Sequence, residues 1–466
     1  MVFHIRSHVH NYFPDRLVQF KLEHGCITFQ DMVQSIPKLC KKYSFMINPL
    51  LGYGHTQTAY AGLAKFENID KVYYKRIILP IRDIKYKVEL EYLNYDCWHG
   101  QSTVALDYVV PPYVENDEHF SYAPKLQVRP LPPRTEYLQP EKELQLLQND
   151  KPLVIALHGL SGGSYESYIR SFLAEITEKH NFDAMVLNAR GCANHTITSP
   201  QLFNGLWTND LRYLINEHVS KKWPEKKIFL IGFSLGGAIL ANYLGQEYTN
   251  VYPGIKGAAI MGTPWDFPDS SVQLRQSLIG HNLYSPIMGG NLLNLLNENY
   301  HQLSKNNLVA HFKEHPERYN IKYLKDFDME FTSKLFGFNN ADEYYRKASP
   351  NQRLLKIRVP TLIVSSLDDP ITGSSSIPYN ETKLNPYLAT VTTTIGGHLG
   401  WFDLKGRRWY PKPVADLFDE LKEWDVENLS EDEIAHPPDL SDVWKFDRLV
   451  SRDLSNCNLH KPVETK

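Results

Sequence analysis

The chain has 466 residues, with 50 Lys and Arg against 53 Asp and Glu, for a formal net charge of −3. Acids and bases are interspersed and form no basic stripe, which removes the electrostatic footprint that a nucleic-acid partner needs. The five Cys, at positions 26, 40, 97, 192 and 457, are odd in number, scattered and free of zinc spacing, so they read as reduced thiols with no metal site.

The first residues interleave His, Arg and Asp with apolar residues, so no signal peptide is expected. No apolar run approaches a membrane span. The expected location is the cytoplasm, with contact to a membrane or lipid droplet at most peripheral.

Residues 1 to about 70 look mixed and partly helical. Residues 72–93 and 103–110 read as strands that form the antiparallel opening edge of a sheet. Residues 111–150, with Pro130-Leu131-Pro132-Pro133, read as an extended linker that closes an N-terminal extension spanning 1–150. From 151 the pattern alternates: strands at 153–157, 184–188, 228–231 and 257–261, helices at 166–179, 209–222 and 238–244. Such alternation predicts an α/β fold with a mostly parallel, doubly wound sheet, of which 151–266 is the first half.

After Pro264-Trp265-Asp266 the alternation stops, and residues 267–347 become helical, a cap insertion. Its apolar clusters, Leu292, Leu293, Leu295 and Leu296, then Phe331, Leu335, Phe336 and Phe338, are expected mostly to pack the extra helices. Some of them should line an acyl pocket. The second half of the core, 348–424, holds strands at 359–366 and 389–395 and a closing helix at 413–424. Residues 425–466 form a polar tail whose end is expected to be disordered.

Chemistry concentrates at three turns. Gly232-Phe233-Ser234-Leu235-Gly236 follows an all-apolar strand and precedes a helix, the arrangement of a nucleophile elbow in an α/β-hydrolase fold. A Ser at the tip of so sharp a turn is strained, and its neighbours two residues away on each side must lack side chains. Gly232 and Gly236 meet that need. The acid comes from Leu367-Asp368-Asp369-Pro370-Ile371 at the end of the next strand but one, where Asp369 is preferred and Asp368 is the alternative. The base is His398 in Gly396-Gly397-His398-Leu399-Gly400, flanked by Leu399, Trp401 and Phe402 as a candidate apolar wall. The order Ser234, Asp369, His398 is the one this fold requires.

A substrate carbonyl oxygen that gains charge needs two backbone donors already in place. The Leu235 amide follows the nucleophile, and the Leu160 amide in His158-Gly159-Leu160 is the second candidate. His158 is read as structural, because the triad already has a base. The chemistry calls for no cofactor and no metal. His398 and Asp403 also fit an H-x4-D spacing, which carries little weight in a chain with 18 His.

Together, Gly52-Tyr53-Gly54-His55-Thr56-Gln57-Thr58, HGLSGGSYESYIR from His158, Asn188-Ala189-Arg190-Gly191, GFSLGG from Gly232, Phe336-Gly337-Phe338 with Glu343-Tyr344-Tyr345, DDP from Asp368 and GGHLGWF from Gly396 resemble the AB hydrolase 4 family. The likeness runs from about 48 to 424, and it is nearest to fungal members regarded as monoacylglycerol lipases and medium-chain ethyl ester synthase/esterases. It implies action on acyl esters of modest size and maps the family triad onto Ser234, Asp369 and His398. Where the family often has Asn before Gly-His-x-Gln-Thr, this chain has Tyr53, and that segment is assigned no catalytic role. Three readings follow: an ester hydrolase acting on monoacylglycerol or medium-chain esters, an alcohol acyltransferase using the same acyl-enzyme, and a non-enzymatic lipid-binding scaffold.

Overall fold

The computed structural model describes residues 5–82, 101–114, 127, 129–423, 444–445 and 448–449, except 16, 17, 23, 24 and 65. The expected strand residues 83–93, most of the passage around 115–128 and nearly all of the tail, with its expected disorder, lie outside them.

Eleven strands among the described residues make one sheet. In chain order they are β1 (Arg6–Tyr12), β2 (Ser44–Met46), β3 (Tyr73–Arg82), β4 (Gln101–Val110), β5 (Thr135–Tyr137), β6 (Leu153–Leu157), β7 (Asp183–Asn188), β8 (Ile228–Phe233), β9 (Ile255–Met261), β10 (Thr361–Ser366) and β11 (Leu388–Thr393). Their spatial order is β2-β1-β11-β10-β9-β8-β6-β7-β4-β3-β5. The central run from β7 to β11 is parallel throughout. Every residue of β6, β8, β10 and β11 is buried, which is why β6 and β8 read as unbroken apolar runs.

The helices that matter for the site are α1 (Gly54–Leu63), α2 (Ser167–Lys179), α3 (Leu235–Glu247), α4 (Phe267–Gln276), α5 (Ser285–Glu298), α6 (Ala341–Ala348) and α7 (Pro411–Leu421). α2 buries Ile169, Phe172, Leu173 and Ile176 along one stripe, and Phe172 meets Phe418 of α7 edge-on at 6.0 Å. Burial of each such side chain stabilises by about 1.5–3 kcal/mol. The second predicted helix, 209–222, is present but opens into a π-turn at Leu214–Val219.

Two features of the N-terminal 150 residues differ from expectation. The mixed segment near the start contains β1, which pairs antiparallel with β11 from Val9↔Thr393 to Tyr12↔Thr390, and β2 then closes that edge. β1 carries the burial pattern of an edge strand, with only Ser7 and Val9 buried, so its apolar signal is one residue long. The linker-like passage contributes β5, which adds in parallel to β3 at the opposite edge, and a helical turn over Pro140–Leu146. The region read as an extension therefore supplies five of the eleven strands. β3 and β4 form the expected antiparallel edge.

The insertion between β9 and β10 is helical and builds a core of its own. Leu292, Leu295, Leu296, Phe331, Leu335 and Phe338 cluster there with Ala238 of α3 and with Leu160 and Leu235 from the two glycine-rich turns. The cap thus shares its core with the floor of the site. Residues 444–445 and 448–449 form a short antiparallel ladder in a separate unit, residues 426–466.

Candidate active site

β8 ends at Phe233, and Ser234 turns the chain into α3 with φ 53° and ψ −120°, a left-handed conformation that a non-glycine residue adopts only when its surroundings force it. The surroundings are backbone. A Cβ on Gly232 would come within 2.6 Å of the Gly236 carbonyl, and one on Gly236 within 2.4 Å of the His158 carbonyl. Two glycines therefore let the elbow close against the neighbouring turn after β6.

The side chains of Ser234, His398 and Asp369 form one chain of hydrogen bonds. His398 Nε2 lies 2.9 Å from Ser234 Oγ, and Nδ1 lies 2.8 Å from Asp369 Oδ2. Asp369 Oδ1 accepts from the amides of Ile371 and Thr372 at 2.8 and 3.1 Å. Burial alone would raise the Asp369 pKa, but the His398 ring and these hydrogen bonds outweigh it and hold the carboxyl below its usual range.

Asp368 faces the other way. Its Oδ1 accepts from Ser366 Oγ at 2.6 Å and from the Gly396 and Gly397 amides at 2.9 Å each, while its buried Oδ2 has no partner among the described residues. Burial raises its pKa despite those hydrogen bonds. The two neighbouring carboxylates thus divide the labour: one holds the imidazole and the other holds the loop that carries it.

α1 holds the same loop from its far side. Thr58 Oγ1 accepts from the His398 amide at 2.8 Å and donates to the Gly54 carbonyl at 2.7 Å. Gln57 accepts from the Phe402 amide and donates to the Leu51 and Phe402 carbonyls. Gly54 sits so close to Asp368 that a Cβ would fall 1.8 Å from its carbonyl oxygen. The segment assigned no catalytic role touches no reacting atom, yet it positions the candidate base. Gly-His-Thr-Gln-Thr was the signal for it, and only the fold reveals what the motif touches.

The candidate oxyanion turn is anchored at each end. The Gly159 amide donates to Tyr168 Oη at 2.9 Å, and no protein acceptor takes the next amide, that of Leu160, among the described residues. His158 Nε2 accepts from the Ala189 amide at 3.0 Å, which fixes the proton on Nδ1 beside the Gly159 carbonyl. Burial pushes the His158 pKa down to about 4, so it is a neutral strut between two turns. Further along, Ser164 donates to Asp107, and Asp107 also pairs with Arg76 at 2.6 and 2.7 Å and accepts from Asn188. This buried cluster ties the edge strands to the oxyanion turn.

A cavity of about 1090 Å³, counted out to its mouth, opens beside Ser234, Leu160 and Leu235 under the cap. Of the predicted apolar residues, Leu292, Leu295, Leu335 and Phe336 line it, whereas Leu296, Phe331 and Phe338 pack the cap core. Leu399, Trp401 and Phe402 do not line it. They are buried beneath the His398 loop, where Phe402 stacks on Phe66 at 5.6 Å. Among the described residues no cluster of His, Cys, Asp and Glu has the arrangement of a metal site.

Residues 152–403 match the family model described as the α/β-hydrolase fold, more than half of the chain. The chain belongs to that family. A monoacylglycerol lipase of Saccharomyces cerevisiae is 37% identical over 87% of this chain and 89% of its own length. A medium-chain fatty acid ethyl ester synthase/esterase of the same yeast is 32% identical over 83% of this chain and 88% of its own length. Phospholipase ABHD3 of Bos taurus is 33% identical over 54% of this chain and 59% of its own length.

Proposed function

We propose that Ser234 attacks an acyl ester, that His398 takes the Ser234 proton and returns it to the leaving alcohol, and that Asp369 holds the imidazole and stabilises its protonated form. The amides of Leu160 and Leu235 receive the developing oxyanion. The chain is a serine ester hydrolase; the observation that carries the assignment of roles is the continuous Ser234–His398–Asp369 hydrogen-bond chain. Ser234→Ala tests it. The variant is expected to fold and to lose ester hydrolysis and fluorophosphonate labelling; labelling at the wild-type rate would move the nucleophile to another Ser.

The substrates proposed are monoacylglycerols and medium-chain esters. A mostly apolar cavity and the 37% identical yeast lipase support this. Transfer to an alcohol is the second reading, favoured by the 32% identical ethyl ester synthase/esterase. Water outnumbers any alcohol in dilute buffer, so hydrolysis is expected to dominate there. A product mixture dominated by new ester at modest ethanol would reverse that order. The assembled triad weighs against a purely structural scaffold.

We place the enzyme in the cytoplasm, in keeping with free thiols at Cys26, Cys40 and Cys192. No helix among the described residues is long and apolar enough to cross a membrane. Peripheral contact with a lipid surface is proposed through the cap, where Leu278, Ile279, Leu283 and Ile287 are 79%, 41%, 47% and 50% exposed within ten residues. Ser285 lies among them, and Arg275 and Met288 flank them; all three line the cavity.

A further inference from the structure

Asp328 is a carboxyl in the wrong company. It is 6% exposed, and it contributes to the lining of the same cavity as Ser234, beside Leu324, Phe327, Leu335 and Phe336. Removing a carboxylate from water costs several kcal/mol unless a cation or a set of hydrogen-bond donors compensates. No Lys, Arg or His pairs with it among the described residues; Lys325, the nearest basic residue in sequence, is engaged with Asp342 at 2.6 Å.

Among the described residues its neighbours with a polar hydrogen to offer are hydroxyls. Tyr345 Oη donates to Oδ2 at 2.7 Å, and the Thr332 side chain is near enough to favour the charged form. A carboxylate has about four acceptor positions, so at least two remain. A capping role does not account for it either, because Asp328 has right-handed helical angles and the helix runs on through it. At this point the helix loosens into a π-turn, Asp328–Thr332, an irregularity that rearranges side chains and is frequent at functional sites.

We propose that Asp328, held by Tyr345, is a hydroxyl-recognition subsite of the cavity, and that the esters it favours carry a free hydroxyl group. This deepens the esterase reading above and rests on it. The ligand chemistry is an O–H donor, which satisfies the remaining acceptor positions of the carboxyl without bringing a charge into an apolar cavity. The hydroxyl has two sources, the alcohol part of a glycerol monoester or a hydroxylated acyl chain.

The test compares kcat/KM on 1-monodecanoylglycerol, ethyl 10-hydroxydecanoate and ethyl decanoate for the wild-type protein and Asp328→Asn. Loss of one hydrogen bond to a charged acceptor corresponds to about a tenfold change or more. The ratio of monodecanoylglycerol to ethyl decanoate is expected to fall about tenfold if the hydroxyl lies on the alcohol; the hydroxydecanoate ratio falls instead if it lies on the acyl chain. Both ratios unchanged, with the three esters altered equally or not at all, overturns the proposal. Fluorophosphonate labelling of Ser234 reports that the variant is folded. Should Asp328→Asn not fold, Tyr345→Phe is read by the same ratios, with a smaller shift expected. A wild-type protein that hydrolyses none of the three esters would instead defeat the esterase reading itself.

Discussion

The proposed nucleophile and the proposed base are built in opposite ways. Ser234 is positioned within one strand, one turn and one helix, and its conformation is set by glycines two residues to either side. His398 is positioned from three places far apart in the chain: Thr58 and Gln57 on α1, Asp368 after β10, and its own loop, in which Gly397, Leu399 and Trp401 all have positive φ. Local sequence is enough to set up the first. The second exists only when distant segments have come together, so it is the part of the site most open to change from afar.

The largest expected effect sharpens that contrast at its common point. Asp369→Asn leaves the elbow intact while presenting the wrong partner to Nδ1, and kcat should fall about 10⁴-fold with the fold unchanged in circular dichroism. An effect below tenfold would mean that the imidazole is oriented by something else. Next comes Asp368→Ala, which leaves two buried amides, those of Gly396 and Gly397, without an acceptor. Each unsatisfied group costs about 1–3 kcal/mol, so kcat/KM should fall about 10- to 100-fold, together with a loss of thermal stability. Asp368→Asn keeps an acceptor oxygen and should cost much less than Asp369→Asn.

Thr58→Val removes the acceptor of the His398 amide from a residue that touches no substrate, and about a tenfold fall in kcat is expected. Unchanged kinetics would break the comparison, since the loop would then hold itself.

The remaining effect falls on stability and leaves catalysis aside. Burial raises the Asp328 carboxyl from an ordinary 3.8 to about 6, against the opposing effect of Thr332 and Tyr345. A folded pKa above the unfolded one means that the folded state holds the proton more tightly. Its contribution is therefore complete below about pH 4 and is lost as pH rises through 6, by about 3 kcal/mol. Urea unfolding at pH 4.5 and pH 7 should show a steeper decline for the wild-type protein than for Asp328→Asn, and parallel declines would mean that Asp328 titrates normally.

Much of this was readable before folding. The elbow, the central parallel strands and the cap announce themselves through glycine spacing, short apolar runs and a stretch where alternation stops. Asp369 and Asp368 could be ranked by position, but the hydrogen bonds of Asp368 could not, because they end on Gly396 and Gly397 across the sheet. β1 was invisible for another reason. A strand with so few buried positions needs few apolar residues, and RSHVHNY offers little more than Val9. The roles of Arg76, Asp107 and Asn188 were hidden as well: charged and polar residues in a strand look solvated until three elements close over them. Asp328 gave no signal at all, since its setting depends on Tyr345 from α6 and on the cavity wall.

The pairing of β1 with β11 also sets a timetable. Residues 6–12 leave the ribosome before their partner, residues 390–393, which follows some 380 positions later. At about 5–20 residues per second that is a wait of roughly 20 to 80 s. During it the elbow strand can already find β6 and β9, whereas the strand leading to His398 cannot be completed. Ser7, whose hydroxyl both donates to and accepts from Ile395, closes the last gap three residues short of the imidazole. The elbow that carries the proposed nucleophile is therefore shaped well before the loop of the proposed base, which is completed only when residues 6–12 and 390–393 pair.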